Sequence, residues 1–551
     1  MTIVNVARES RPSAFRRDGT ALNGADAAVL LALVAVHAVV LWVGNAFTSA
    51  PPAEDAAILL RYSEHLANGQ GIVWNVGEDP VDGATDVLFM ALIALLRTLG
   101  VGLVAAARAL DVAGTVGVIV IAYVTGRAVI GQPRWISSIG PLLVAVGPAA
   151  IYTRLAFGAP FFGFAVALAA LCALLVFRQP TFRRALAFGV SSLFMGLVRP
   201  EGVILAALLA AGTLVAIRGR RGTLVAGVAV GLVVPGLVYF AARWSYFGFP
   251  LPNPYYKKGS GELHPQGLKV SLLAVARWLF PLAVLYVLPL TRSRDHWRQV
   301  FFLALPVTGF TAVWLLLSNE MNILNRFQYP VLVLLAMSLP WLWVMTVAAW
   351  RPTMAPRLRR WLPAGLAAAA CLNLALVGAF ALDKVSAGPA EPDELRGRVG
   401  TALKPFRGAG HLLAVTEAGL VPLNSGWRTL DLWGLNDEQI AHNGLDAKRL
   451  VRADPAIVLM HEYPRPDVRT SSLDGWNDMV DTVRAYMGER GEYERVATWG
   501  EPLDPFVVYV SRQTPARERI RAAVCRAVAA DPSAVCRGRR SHSAARPRPN
   551  R

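Results

Sequence analysis

Charge is what this sequence has least of. Only 17% of its 551 residues are Asp, Glu, Lys or Arg, where a soluble globular chain carries roughly 25%. That shortfall excludes a disordered chain and an ordinary cytosolic enzyme. The usual signatures of nucleotide and metal chemistry are missing as well. There is no Walker loop, no dinucleotide glycine fingerprint, no Cys-x-x-Cys pair and no His-Glu-x-x-His helix. ATP-driven pumping and zinc hydrolysis therefore find no support.

Long apolar runs take the place of the missing charge. Residues 27–47 and 203–217 reach, or nearly reach, the length needed to cross a hydrocarbon core of about 30 Å as helices. Further runs near 103–128, 135–151, 160–177, 184–198, 202–217, 223–242, 268–290, 299–317, 330–350 and 363–382 predict about eleven crossings. The first follows a basic segment (Arg8, Arg11, Arg16, Arg17) and reads as a retained signal anchor.

Lys and Arg outnumber Asp and Glu by 55 to 37, and the surplus is arranged by loop. Arg127/Arg134, Arg178/Arg183/Arg184, Arg218/Arg220/Arg221, Arg292/Arg294/Arg298 and Arg351/Arg357/Arg359/Arg360 fall on alternate connections, which the positive-inside rule places in the cytoplasm. The basic surplus is thus a topological signal and not a nucleic-acid footprint. The alternation holds only if 86–99 does not cross, so that segment is expected to be an interfacial or half-inserted helix.

From about residue 383 the composition becomes that of a soluble domain, with strand-like runs at 411–415, 457–460 and 506–510. The fold class expected is a polytopic α-helical membrane protein with a C-terminal α/β domain on the periplasmic side. Its parts are a basic cytoplasmic N-terminus (1–26), a transmembrane catalytic domain (27–382), the α/β domain (383–536) and a disordered basic tail (537–551). Cys172 and Cys371 lie in spans, whereas Cys525 and Cys536 share the outside domain, where an oxidising compartment favours a disulfide between them.

The outside loops hold the polar residues that look placed. Glu54-Asp55 opens a predicted helix over 54–68; the two acids either complement the helix dipole or supply a general base at the membrane surface. Asp79, Asp82 and Asp86 fit turn chemistry, or a cation or sugar. Asp111 lies within a span with Arg108 one turn away, which suggests a pair. His37 reads as an interhelical hydrogen-bonder. Arg199-Pro200-Glu201-Gly202 forms the tip of a tight helical hairpin. The 244–258 segment sets Asn253, Lys257 and Lys258 among interfacial aromatics, as an aromatic belt or a phosphate-binding loop. Asn322 and Arg326 add an amide and a cation on the same side.

In order, the chain carries Glu-Asp after the first span, Leu-Arg-Tyr-x-x-x-Leu-Ala-Asn-Gly-x-Gly at 60–71, Trp-Asn-x-Gly at 74–77, Val-Asp-Gly-Ala-Thr at 81–85, Arg-Pro-Glu-Gly at 199–202, Pro-Asn-Pro-Tyr-Tyr-Lys at 252–257 and Asn-Arg-Phe at 325–327. Thr-Glu-Ala-Gly-Leu-Val-Pro at 416–422 and Asp-Leu-Trp-Gly-Leu-Asn-Asp at 431–437 follow. This series resembles the GT-C class of membrane glycosyltransferases, in particular the actinobacterial branch that includes the terminal arabinofuranosyltransferase of cell-wall arabinan.

The resemblance implies transfer of a sugar, D-arabinofuranose, from a polyprenyl-phosphate donor such as decaprenyl-phosphoryl arabinose to a glycan acceptor outside the plasma membrane. Asp55 then takes the role of base, and Glu54 a supporting or metal-holding one, since the branch commonly has two aspartates there. A divalent cation is a candidate cofactor. Arg326, Lys257, Lys258 and Arg199 would stabilise the departing phosphate, and Glu201, Asn253, Asn322, Glu417, Asn436 and Trp433 would contact sugar or acceptor. Ala-Phe-Gly-Ala-Pro at 156–160 departs from the Gly-x-Glu of related chains. The alternatives are the same chemistry with mannose or with a protein or lipid acceptor, a transporter, and a non-catalytic scaffold.

Overall fold

A computed structural model describes residues 21–44, 50–258, 261, 263–319, 322–386, 391–408, 412–462, 471–501 and 504–536. The basic N-terminus before 21 and the tail from 537 lie outside the described residues. The chain groups into two compact units. One takes the described parts of 1–52, 84–250 and 259–388; the other takes those of 53–83, 251–258 and 389–551.

The first unit is helical, and the described parts of all eleven apolar runs fall on its helices. Eight are long and apolar enough to cross a membrane: Gly24–Val43, Leu103–Ile130, Arg134–Leu155, Ala159–Arg178, Arg221–Phe247, Arg294–Leu315, Ile323–Thr353 and Pro356–Lys384. The other three, Phe182–Val198, Gly202–Ala216 and Pro265–Leu279, run 15 to 17 residues. The Val87–Thr98 helix has 12 residues, about 18 Å at 1.5 Å per residue, which falls well short of the hydrocarbon thickness. None of Val234–Phe247 is buried, and its Val234, Leu237 and Val238 are more than half exposed. A stripe of that size is stable against lipid and not against water.

Polar side chains fix the helix ends. Asn23 and Asp26 form a capping box at the start of Gly24–Val43. The fully buried Asp26 also accepts from Tyr123 Oη at 2.8 Å, Arg127 Nε at 2.9 Å and Arg134 Nε at 3.0 Å. Within the bundle, His37 Nδ1 lies 3.1 Å from Ala145 O, the interhelical bond expected of it. The expected Arg108–Asp111 pair gives way to other partners. Arg108 Nη2 donates to Ala50 O and Arg154 O, while Asp111 Oδ1 accepts from Phe161 N at 3.3 Å, in the first turn of Ala159–Arg178. A free helix N-terminus offers a carboxylate more than an arginine already satisfied by carbonyls.

The second unit is α/β. Strands β1 (Leu412–Val415), β2 (Arg428–Asp431), β3 (Ile457–His461), β4 (Tyr493–Glu501), β5 (Asp504–Ser511) and β6 (Val535–Cys536) form one sheet in the order β2-β1-β3-β5-β4-β6. The first three are parallel; β5, β4 and β6 add antiparallel. Both faces of β1 and β3 are buried, which explains their continuous apolar runs. Val483 and Tyr486 of the Ser471–Arg490 helix close one face over Ala414, Val458 and Met460. A disulfide joins Cys525 of the Arg517–Val528 helix to Cys536 on β6.

Candidate active-site residues

In the membrane unit the hairpin Arg199-Pro200-Glu201-Gly202 connects Phe182–Val198 to Gly202–Ala216 and is closed by Gly202 N to Arg199 O at 2.9 Å. Arg199 is buried between two carboxylates, with Nε 2.6 Å from Glu201 Oε1 and Nη1 3.2 Å from Asp86 Oδ2. Arg326 stands beside it. Its guanidinium carbon is 3.7 Å from the centre of the Phe157 ring, and that of Arg199 is 5.8 Å from the same ring. Phe327 faces both, at 5.0 Å from Arg326 and 5.6 Å from Arg199. Guanidinium planes held over aromatic faces stay charged while their stems are dehydrated.

Arg326 is aimed by a strained turn. Leu324 and Asn325 are consecutive non-glycine residues with φ of 56° and 61°, a conformation that costs of order 1–3 kcal/mol each and needs outside support. Asn322 supplies it, accepting from Phe327 N at 3.0 Å and donating to Asn319 Oδ1 and Gln328 Oε1. Tyr152 Oη adds a 2.7 Å bond to Leu324 O. Asn322, read from the sequence as a sugar contact, thus serves as the brace of the Arg326 turn.

In the α/β unit Glu54 and Asp55 open the Glu54–Ala67 helix, and the two differ sharply. Glu54 is buried; its Oε1 accepts from Gly419 N at 2.6 Å and Leu420 N at 3.1 Å, and its Oε2 lies 3.4 Å from Arg396 Nε. Burial raises its carboxyl above the usual range, against the pull of Arg396 and the two amides. Gly419 must be glycine, because a Cβ there would strike the Glu54 backbone. Asp55 is half-buried and, among the described residues, makes no hydrogen bond or ion pair.

Glu417 is drawn into the same network, pairing with Arg396 Nη1 and with His461 Nδ1. The His461 ring stacks on Phe506 at 4.0 Å. Glu417, Asp431 and His461 all sit at the carboxyl ends of the three parallel strands, the edge where open α/β sheets carry their functional groups. Arg396 and His461 escaped sequence reading. The Thr-Glu-Ala-Gly run after an apolar strand was the one signal pointing there.

The remaining motif residues form a polar knot in the same unit. Arg61 is 4% exposed and donates to Trp74 O, Asn75 Oδ1, Pro422 O and Trp427 O at 2.9–3.1 Å, with its Cζ 4.4 Å over the Trp74 ring. Burial pulls its guanidinium down to about 10. Asn436, expected to bind sugar, is inside this knot: Tyr62 Oη donates to its Oδ1 and its Nδ2 donates to Asp431. A Cβ on Gly83 would collide with both Tyr62 and Asn436. Lys257 Nζ lies 4.1 Å from the Trp433 ring centre, and Trp433 is half-buried beside Trp476. Asn253 is buried with its Nδ2 lacking a hydrogen-bond partner among the described residues. The Lys258 side chain lies outside the described residues. Also among the described residues, no three His, Cys, Asp or Glu side chains converge to hold a metal ion.

Among solved structures the chain is similar to ArnT from Cupriavidus metallidurans in the apo state, with 12% identity and a TM-score of 0.58 over 89% of this chain and 99% of that one. The two share a fold. The same protein bound to undecaprenyl phosphate gives a TM-score of 0.57 at 12% identity, over 87% of this chain and 97% of the other. The architecture is therefore GT-C-like, a multi-pass helical membrane unit with a C-terminal α/β region. A family model described as a domain of unknown function (DUF8728) matches residues 390–520. No curated protein matches.

Proposed function

We propose that this chain transfers a sugar, D-arabinofuranose, from a polyprenyl-phosphate donor to an arabinan acceptor on the outer face of the plasma membrane. The observation that carries the reading is its likeness, over 87% of its length, to a structure solved with undecaprenyl phosphate. The sugar and the acceptor rest on the motif series from Glu54-Asp55 to Asp431–Asp437.

In the reaction the bond from sugar C1 to the phosphate oxygen breaks, and a bond from C1 to an acceptor oxygen forms. Polyprenyl phosphate leaves with the bonding pair, so negative charge grows on it. Arg326, set by its braced turn, is assigned to that charge, with Arg199 beside it. The acceptor hydroxyl loses its proton, and Asp55 is the base assigned to take it. Of the neighbouring acids, Glu54 is already committed to Gly419, Leu420 and Arg396, so its role is to position the start of the Asp55 helix.

The test is transfer by purified protein from synthetic polyprenyl-phosphate arabinose, with polyprenyl-phosphate mannose in parallel, to a short arabinan acceptor. Arabinose transfer supports the reading. Mannose transfer alone would keep the chemistry and replace the sugar, and inertness toward both donors by folded protein would overturn it.

A further inference from the structure

At the end of the membrane unit that carries the arginine-rich connections, the 178–183, 217–221 and 293–299 segments enclose a cleft of about 1110 Å³. Its size lies just above the roughly 300–1,000 Å³ usual for a small-molecule site. Arg178, Arg218, Arg220 and Arg298 line it, against the single carboxylate of Asp295. These arginines differ from others on the same end of the unit. Arg127 and Arg134 are both spent on Asp26, and Arg178 Nη1 already donates to Val129 O. Arg218, Arg220 and Arg298, by contrast, have no ion pair among the described residues.

The backbone adds to the imbalance. Thr181 and Arg220 both line the cleft, and each is the N-cap of a helix, starting at Phe182 and Arg221 respectively. Neither cap accepts a hydrogen bond through its side chain, and neither first turn contains an acid; the Arg294–Leu315 helix, by contrast, is capped by Ser293 Oγ and carries Asp295 in its first turn. Helix starts normally recruit Asp or Glu to offset their partial positive charge. At the Phe182 and Arg221 starts guanidinium groups stand in that place, and Arg220 is held there with φ of 55°. Two helices also end at the cleft, at Arg178 and Ala216, but Arg178 offsets its own terminus.

We infer that this cleft is a binding site for a phosphate group, and that the group belongs to the headgroup of an anionic membrane lipid. The guanidinium forks suit phosphate oxygens, and Phe177, Ala216 and Ile217 give the wall an apolar side that suits a glycerol or acyl stem. The site is independent of the proposed sugar transfer, since none of its residues takes part in that reading.

The experiment uses full-length protein in detergent, titrated with phosphatidylglycerol or phosphatidylcholine and read by native mass spectrometry. Wild type is compared with the triple substitution R218Q/R220Q/R298Q and with R357Q/R359Q/R360Q, which removes equal charge from an exposed connection outside the cleft. The expected result is selective retention of phosphatidylglycerol by wild type and by the second triple, and a loss of about tenfold or more in affinity in the first, as three lost phosphate contacts imply. Should the first triple fail to fold, R218Q and R220Q, at exposed positions, are measured singly with the same expectation. Added glycerol 3-phosphate separates the sources: failure to displace the lipid assigns the site to a headgroup, and displacement assigns it to a soluble phosphate compound and overturns the lipid assignment. Equal retention by wild type and the cleft variants, or equal loss in both triples, overturns the site itself.

Discussion

Glu54 and Asp55 are adjacent acids at one helix start, yet their surroundings give them different chemistry. Glu54 holds its proton more tightly in the folded chain than in the unfolded one. Its contribution to stability is therefore full below the ordinary glutamate range and is lost as pH rises through the raised value. Glu54→Gln imitates the protonated form, so thermal unfolding followed from pH 4 to 8 should show a flatter pH dependence than wild type. Arg326 is tested at the same scale. If it meets the leaving phosphate, Arg326→Ala should lower kcat/KM by about 10²-fold or more, with Arg326→Lys recovering part of it. The pair at 54–55 was legible because order along the chain places it directly after the first span. The brace of the Arg326 turn was not, since nothing local to Asn322 shows that Leu324 and Asn325 adopt positive φ.

Elements were read most safely where one physical rule decides them. Hydrophobic length placed eleven helices, eight of them long enough to cross, and the alternation of basic loops set 86–99 apart as non-crossing, in keeping with the 12 residues of the Val87–Thr98 helix. The predicted helix from residue 54 closes at Ala67 with Asn68 as C-cap, as its Asn-Gly ending suggests. The π-helical stretches at Thr125–Ile130 and Ala229–Val233 left no such trace, because they record how neighbouring helices meet. The loop after the first span shows the same limit. Its Arg61, Trp74 and Asn75 were visible as a motif, but their partners Pro422, Trp427 and Thr429 lie 354 to 366 residues later. Arg61→Met removes four buried hydrogen bonds and leaves Trp74 O without a donor among the described residues, because Asn75 Oδ1, Pro422 O and Trp427 O also accept from Thr429 N, Gly426 N and Thr429 Oγ1. The loss should destabilise the α/β unit by about 3–5 kcal/mol. Denaturation followed through the buried Trp74 and Trp427 measures it; a loss below about 1 kcal/mol would contradict the knot.

At the scale of the molecule, the change of composition near residue 383 marked the soluble α/β region, and the sheet confirms its class. What composition could not show is that 53–83 and 251–258 group with it; long-range assembly of three separate segments has no local signature. The fold shared with ArnT gives this architecture a precedent at 12% identity, too distant for residue roles to be carried across. The disulfide of the α/β unit closes a loop of sequence separation 11, and reducing it should lower that unit's stability by about 2–3 kcal/mol, measurable by unfolding with and without reductant.

The most direct test of the central claim is single-turnover transfer from polyprenyl-phosphate arabinose by purified Asp55→Asn, beside wild type and Glu54→Gln. The account predicts a loss of about 10²-fold or more for Asp55→Asn, with membrane insertion and unfolding temperature unchanged. For Glu54→Gln it predicts a far smaller loss. Turnover by folded Asp55→Asn within about threefold of wild type would contradict the assignment of the base.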